Sequence, residues 1–170
     1  MMYKVFLGLG TNMGNRERNL EEALTRIASV AGPIRNMSSV YETLPWGFES
    51  GDDFLNMAVR IDTVLSPRAL LEQLLLTEAL MGRKREGGGY ASRPIDIDIL
   101  MFGNMIIDEE DLVVPHPRMA LRKFVLVPLG EIAPGAIHPV LRKRISTLLR
   151  ECVDDSHPLL YSNPLSAKLK

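Results

Sequence analysis

The stretch FLNMAVRIDTV, residues 54–64, decides the predicted fold of this chain. Its side chains alternate in character, and successive side chains of a β-strand point to opposite faces, so the pattern predicts a strand with two unlike faces. The aliphatic face consists of Leu55, Met57, Val59 and Ile61. The other face consists of Phe54, Asn56, Ala58, Arg60 and Asp62. We therefore expect one face of a sheet to cover an aliphatic core and the other to be free to hold a ligand.

The segments that follow this strand predict a helix and a further strand. Ser66-Pro67 supplies an N-cap residue followed by proline at the first helical position, a combination that favours the start of a helix. The leucine-rich segment after it predicts a helix to about Met81, ending at Gly82. The apolar run Ile95–Phe102 predicts another strand.

The segments that precede it complete the pattern. Tyr3–Leu9 is a short apolar run and predicts a strand, whereas Asn15–Val30 has apolar residues at helical spacing. Ile34–Tyr41 predicts a strand before the alternating one. The order strand, helix, strand, strand, helix, strand is typical of an α+β, ferredoxin-like antiparallel sheet, with helices on one face and the ligand site on the other.

The C-terminal third has weaker signals. Val140–Leu149 is amphipathic, whereas the last stretch, His157–Lys170, is expected to be irregular and poorly ordered. His138 and His157 are each followed by proline and are expected at the surface. We expect one domain over residues 1–170, in which 151–170 is a C-terminal tail without an assigned role.

Composition excludes several classes of function. The chain of 170 residues carries 20 basic and 21 acidic residues, and its net charge of -1 argues against a nucleic-acid partner. Its single cysteine, Cys152, cannot form an internal disulfide, and no apolar run approaches the length of a membrane span. We therefore expect a cytoplasmic monomer without a nucleic-acid or membrane partner.

The stretch RPIDIDIL, residues 93–100, carries the most informative chemistry. Asp96 and Asp98 share one face of the predicted strand, roughly 7 Å apart at Cα, which is close enough to hold a cation between them. Oxygen ligands without nearby histidine or cysteine favour Mg²⁺ over Zn²⁺.

A basic, glycine-rich segment precedes this strand. It contains Gly87, Gly88 and Gly89 between four basic residues, which are Arg83, Lys84, Arg85 and Arg93. A metal site beside mobile arginines is what phosphate transfer requires, because catalysis there is mostly positioning and charge neutralisation. The alternative is a solvated strand face with surface ion pairs of little energetic value.

A second group of residues suits a flat heterocycle. Asn56 offers donors and an acceptor, while Phe54 beside it and Trp46 in the preceding loop offer aromatic faces. Gly8 and Gly10 lie on one face of the first strand and leave space for a ligand to approach. The alternative is a buried structural asparagine among core aromatics.

Seven short motifs together carry a family resemblance. They are GLGTNMG at 8–14, YETLPWG at 41–47, DFLN at 53–56, GR at 82–83, RPIDIDIL at 93–100, VPHPRM at 114–119 and RKFVLVPL at 122–129. In this order and spacing, the chain resembles the 6-hydroxymethyl-7,8-dihydropterin pyrophosphokinase family across roughly residues 3–150. The resemblance implies transfer of the β,γ-diphosphate of ATP to the pterin hydroxymethyl oxygen, in folate biosynthesis.

The resemblance also implies a role for each matching residue. Asp96 and Asp98 match the family's ligands for two Mg²⁺ ions, and Arg83 and Arg93 match its loop arginines that act on the triphosphate. The matches to the pterin pocket are Thr43, Leu44, Trp46, Phe54, Asn56 and Phe124. The matches to the nucleotide side are Glu78, Arg85, His116 and Arg122.

The loop departs from the family pattern. Tyr90-Ala91-Ser92-Arg93 stands where many members carry Trp-Gly-Pro-Arg, and the three glycines occupy a stretch that is often more basic. The arginine spacing is retained, so the reaction class still follows from the resemblance.

Two rival functions are open at this point. Gly8, Gly10 and Gly14 form G-x-G-x-x-x-G, one residue longer than the usual dinucleotide-binding fingerprint of an oxidoreductase. The second rival is a ferredoxin-like module that binds RNA or a small effector without catalysis. The near-neutral charge weakens the RNA reading, and a pure binding module has no need for Asp96 and Asp98 beside Arg93.

Overall fold

The computed structural model describes residues 1–44, 52–84 and 93–161. Its strands are β1 (Tyr3–Thr11), β2 (Ile34–Met37), β3 (Tyr41–Thr43), β4 (Phe54–Thr63), β5 (Asp96–Phe102), β6 (Ile107–Glu109), β7 (Leu112–Val114) and β8 (Leu159–Leu160). Its α-helices are α1 (Arg16–Val30), α2 (Pro67–Leu80), α3 (Lys123–Ile132) and α4 (Ile145–Glu151), and a short 3-10 turn spans Met119–Leu121. The fold is therefore a mixed arrangement of helices and strands.

Local sequence explains where the first two helices begin. The Asn15 side chain accepts a hydrogen bond from the backbone N–H of Arg18, and the Ser66 side chain accepts one from Ala69. Pro67 stands at the first position of α2, where its missing N–H leaves no helical hydrogen bond unmade. The predicted N-cap at Ser66 is confirmed.

The main sheet has six strands in the order β5-β1-β4-β3-β8, with β2 also pairing with β4. Every strand pair in the described residues is antiparallel. The described chain therefore lacks the parallel βαβ units of a dinucleotide-binding fold, which removes the structural basis of the oxidoreductase reading.

The first face of the sheet covers the larger core. Leu55, Val59 and Ile61 of β4 are fully buried there, against Leu20 and Leu74 of the helices α1 and α2. The alternation predicted for residues 54–64 is confirmed, because the hydrophobic effect places its aliphatic face against these helices.

The expectation that the helices lie on one face only is wrong. Leu126 and Leu129 of α3 form a second core with Ala58 and Leu100 on the opposite sheet face, and α4 packs there too. The sequence KFVLVPLGEI hides this helix because Pro128 and Gly130 interrupt the pattern of a typical helix. The candidate site lies on the part of this face that α3 leaves open.

Two expectations about the C-terminal third are also wrong. His138 is only 6% exposed, because its Nδ1 accepts hydrogen bonds from the backbone N–H groups of Val140 and Leu141 in a tight turn. Leu159 and Leu160 are not irregular but pair with β3, whereas residues 162–170 lie outside the described part. Among the described residues, no helix is both long and apolar enough to cross a membrane.

Candidate active site

A cleft opens on the second face of the sheet, beside the N-terminus of α3. Nine of the residues to which the family resemblance assigned a role line it, which are Thr43, Leu44, Phe54, Asn56, Arg93, Asp96, Asp98, Arg122 and Phe124. Among the described residues, Arg83, Glu78 and His116 do not line it, and Trp46 and Arg85 are outside the described residues. The sheet therefore brings together residues from four separate parts of the sequence.

Strand register forms the floor of this cleft. Gly10 on the central strand β1 pairs with Asn56 on one side and with Asp96 on the other. Gly8 pairs with Asp98 in the same way. A Cβ atom on Gly10 would lie 3.0 Å from the Asn56 side-chain oxygen, so a larger residue would crowd the amide. The glycines keep the floor open between the amide and the two carboxylates, as the first strand predicted.

The amide end of the cleft is polar and preorganised. Asn56 is 5% exposed, and its Nδ2 donates a hydrogen bond of 2.7 Å to the Thr43 hydroxyl. One amide donor is thus used within the protein, while the other donor and the carbonyl oxygen retain hydrogen-bonding capacity. This end combines oriented polar atoms with two aromatic rings, Phe54 and Phe124.

Each aromatic ring lies near a guanidinium group. The Arg93 guanidinium carbon is 5.9 Å from the centre of the Phe54 ring, and that of Arg122 is 5.5 Å from the centre of the Phe124 ring. These distances allow cation–π attraction, which is strengthened where water is excluded. Each aromatic ring of the amide end is therefore close to a positively charged side chain.

Asp96 is held by both arginines named in the sequence. Its Oδ2 accepts a hydrogen bond of 2.9 Å from Arg93, and its Oδ1 accepts one from Arg83. The side chains of Arg83 and Arg93 are only 13% and 15% exposed, so these ion pairs are better shielded from solvent than typical surface pairs. The alternative of a solvated strand face does not describe this arrangement.

Glu78 holds Arg83 and β5 together. Its carboxylate is 1% exposed and accepts hydrogen bonds of 2.7 Å from both Arg83 and the backbone N–H of Ile97. Glu78 therefore links the end of α2 to β5 between the two aspartates. Its described contacts are with protein groups, and they hold Arg83 in place beside Asp96.

Asn12 is a supporting residue that sequence reasoning missed. Its side-chain oxygen accepts a hydrogen bond of 2.8 Å from the backbone N–H of Arg93, and its own N–H donates to the Arg93 carbonyl. Asn12 is 1% exposed, although asparagine usually lies at the surface. Its place directly after β1 in GLGTNMG was the available signal. It fixes the start of β5 relative to β1.

Asp98 is a carboxyl group whose ionisation is disfavoured by its surroundings. Its position on the cleft floor, away from bulk water, raises its pKa to about 7, and the neighbouring carboxylates of Asp96 and Glu78 add to this effect. The Asp98 side chain is nevertheless 41% exposed, since the cleft itself is open. A cation would relieve the repulsion among these carboxylates.

His116 faces this carboxylate as a neutral ring. Burial and the positive charge of Arg122 lower its pKa to about 4. Its Nδ1 accepts a hydrogen bond from the N–H of Arg118, which assigns the ring proton to Nε2, 4.0 Å from Asp98 Oδ2. His116 therefore offers a donor on the Asp98 side of the cleft wall.

The two carboxylates fit Mg²⁺ better than a metal ion whose ligands all come from the protein. Within residues 1–44, 52–84 and 93–161, no group of three or more His, Cys, Asp or Glu residues is arranged to hold a metal ion. Two carboxylates are nevertheless enough for Mg²⁺, which retains waters and binds substrate phosphates as further ligands. The raised pKa of Asp98 agrees with this fit, since burial and the neighbouring carboxylates of Asp96 and Glu78 disfavour a negative charge that a bound cation would stabilise.

Comparison with known proteins identifies the family of this chain. Residues 6–134 match the family described as 7,8-dihydro-6-hydroxymethylpterin-pyrophosphokinase (HPPK). The chain belongs to this family. The match confirms the resemblance and the ATP-dependent diphosphotransferase class predicted from the motifs.

Relatives named 2-amino-4-hydroxy-6-hydroxymethyldihydropteridine pyrophosphokinase span most of the chain. The one from Methylorubrum extorquens is 44% identical over 137 residues, covering 80% of this chain and 86% of its own. The one from Aquifex aeolicus is 40% identical over 142 residues, covering 84% and 88%. The one from Bacillus subtilis is 45% identical over 128 residues, covering 75% and 76%.

Solved structures show the same fold. The crystal structure of a triple mutant of Plasmodium falciparum HPPK-DHPS has a TM-score of 0.73 and 21% identity, and the match covers 89% of this chain. The wild-type protein with pteroate has a TM-score of 0.72 and 18% identity over the same share. This chain spans 44% of those longer chains. At such identities the likeness supports the fold alone.

Proposed function

We propose that this chain transfers the β,γ-diphosphate of ATP to the hydroxymethyl group of 6-hydroxymethyl-7,8-dihydropterin, yielding the pterin diphosphate and AMP in folate biosynthesis. One observation carries the proposal: a single cleft places an amide and aromatic rings beside a carboxylate pair and arginines. The first set suits a pterin, and the second suits a triphosphate. The distance between an acceptor hydroxyl and a phosphate would thus be set by one rigid sheet.

The pterin would occupy the end formed by Asn56, Thr43 and Leu44. Asn56 would pair with the polar edge of the heterocycle through the amide groups that Thr43 does not use. Phe54 and Phe124 would stack on the ring faces. Trp46 is also expected to contact the pterin, although it lies outside the described residues.

Asp96 and Asp98 would hold Mg²⁺, with two ions expected from the family resemblance. When bound, Mg²⁺ would neutralise the charge of the triphosphate and of the carboxylate pair. Asp96 and Asn56 both pair with Gly10, so the sheet itself sets the distance between the cation side and the pterin end of the cleft.

Arg83 and Arg93 would act on the phosphates. Both guanidinium groups donate hydrogen bonds to Asp96. Arg93 and Asp96 line the cleft that a triphosphate would enter. Donation to phosphate oxygens would stabilise charge that shifts onto the leaving group during transfer. Glu78, expected on the nucleotide side, would keep Arg83 close to the site, because its Oε1 accepts hydrogen bonds from both Arg83 and the backbone N–H of Ile97.

The nucleotide would extend towards His116 and Arg122. The neutral His116 ring offers its Nε2–H as a donor, and the Arg122 guanidinium offers a permanent positive charge on the cleft wall. Arg85 is expected to assist from the segment outside the described residues. The described groups near Asp98 do not include an evident general base, and a loose transition state has little need of one.

The strand order supports a ferredoxin-like classification of the fold. The first strand and its pairs run β5-β1-β4 with β2 and β3 beside β4, which corresponds to the antiparallel sheet of a split βαβ motif. A monomer in the cytoplasm remains our expectation for its state and location.

Product analysis tests the proposal directly. Purified protein with ATP and Mg²⁺ should form AMP only when the hydroxymethyl-dihydropterin is present, in equal amount with the pterin diphosphate. Formation of ADP would indicate ordinary kinase chemistry. Formation of AMP without the pterin, or no turnover of ATP at all, would refute the proposed reaction.

A further inference from the structure

The C-terminal segment that contains Leu159, Leu160 and Tyr161 lies along the edge of the sheet at β3, which carries Thr43 of the cleft. It lies beyond residue 134, where the family match stops. Leu159 and Leu160 pair with Glu42 and Tyr41 of β3, and the N–H of Tyr161 donates a hydrogen bond of 2.9 Å to the carbonyl of Val40. The segment therefore covers the outer edge of β3 and brings Tyr161 to the start of α1.

Tyr161 makes two contacts with α1. Its hydroxyl donates a hydrogen bond of 2.8 Å to the carboxylate of Glu17, and its ring lies 5.8 Å from the guanidinium carbon of Arg16. The ring therefore helps to hold the Arg16 side chain in one conformation.

Arg16 joins the two strands that carry the pterin residues. The same Nη1 atom donates hydrogen bonds of 2.8 Å to the Glu42 carboxylate and to the backbone carbonyl of Asp53. These two acceptors directly precede Thr43 and Phe54, which pair with each other in register and line the cleft. Arg16 and Tyr161 themselves do not line it.

We propose that Arg16, steadied by Tyr161, is a positioning residue that sets the spacing of Thr43 and Phe54 and thereby the affinity for the pterin. The inference rests on the proposed function, because it takes this end of the cleft as the pterin site. A bond to a backbone carbonyl distinguishes Arg16 from an ordinary surface ion pair, since it holds the main chain and not only a side chain. Small displacements of substrate-contacting groups are costly in binding and catalysis.

The test compares the full chain with Arg16→Gln and Tyr161→Leu. Arg16→Gln removes the guanidinium donors, and Tyr161→Leu removes the ring over Arg16. We expect each to raise KM for the pterin by about five- to tenfold, with KM for ATP and kcat within about twofold of the parent values. A purely structural defect would lower the active fraction and hence kcat instead.

Two further variants make the comparison specific. Arg26→Gln removes an ion pair of 2.9 Å to Glu22 on the same helix, away from the cleft, and should leave both KM values unchanged. Tyr161→Phe keeps the ring, so its KM for the pterin should stay within about twofold of the parent value. Thermal unfolding of each variant, measured in parallel, sets the assay temperature below every melting transition.

The outcomes separate the two proposals. If the parent protein forms no AMP with ATP and the pterin, the proposed function fails before any variant is compared. If the parent is active but Arg16→Gln behaves like Arg26→Gln, or raises both KM values equally, the positioning role is refuted. Should Arg16→Gln not fold, Tyr161→Leu with Tyr161→Phe as its control decides the question in the same way.

Discussion

Replacing Asn56 with alanine should separate pterin binding from nucleotide binding. Asn56 is 5% exposed and has one amide donor committed to Thr43 at 2.7 Å. Its side-chain oxygen lies over Gly10 on the floor of the cleft, as the 3.0 Å approach to a Cβ built there shows. The remaining amide groups are therefore placed to meet the edge of a heterocycle.

The magnitude follows from the cost of unpaired polar groups in a buried site. Alanine would leave the edge of the pterin without its partner, at about 1–3 kcal/mol. A central value of about 2 kcal/mol corresponds to a Kd for the pterin raised about 30-fold. The Thr43 hydroxyl would also lose its donor, so the free energy of unfolding should fall by about 1 kcal/mol.

Calorimetric titration of the pterin and of a non-hydrolysable ATP analogue measures both affinities on the same samples. The Kd for the nucleotide should stay within about twofold of the parent value. Asn36→Ala is a matched control, because Asn36 lies on the exposed face of β2 in the same sheet. Equal weakening of both ligands, or a similar loss in Asn36→Ala, would refute the assignment of Asn56 to the pterin.

Three further predictions concern the charged end of the cleft. Asp96→Ala should abolish AMP formation while the chain still folds by circular dichroism; near-parental turnover at limiting Mg²⁺ would contradict its role as a ligand. Arg93→Ala should lower kcat strongly and change the affinity for the ATP analogue only modestly, whereas a large loss of affinity would place Arg93 in ground-state binding. The folded-state pKa of Asp98, about 7, lies above its ordinary value of 3.8. At pH values between these two, the metal-free folded protein therefore binds more protons than the unfolded chain. Its free energy of unfolding, from urea titrations, should therefore fall as pH rises from about 4 to 7, and Asp98→Asn should remove that fall.

The alternating pattern of β4 and the capping residue of α2 were sufficient to predict those elements. Strand alternation is a local property with a period of two, and Ser66 bonds to an N–H only three residues away. The same alternation placed Asp96 and Asp98 on one face, where the structure has them beside the cleft. These predictions needed no knowledge of distant contacts.

Only the tertiary structure decided what lies against those elements. Helix α3 packs on the second face although Pro128 interrupts its sequence pattern, because burial of Leu126 and Leu129 outweighs helix propensity. The sequence also contains no signal that Glu78 would hold Arg83 against Asp96, or that Tyr161 would lie on Arg16.

Such contacts join residues that are distant in the chain. Their partners are selected by packing and by the requirement that buried charges and polar groups be paired, and not by any local spacing. The motifs could therefore name the reacting groups, since chemistry restricts the residue types that perform it. The supports that hold those groups in place, such as Asn12 beside Arg93, became apparent only once the chain was folded.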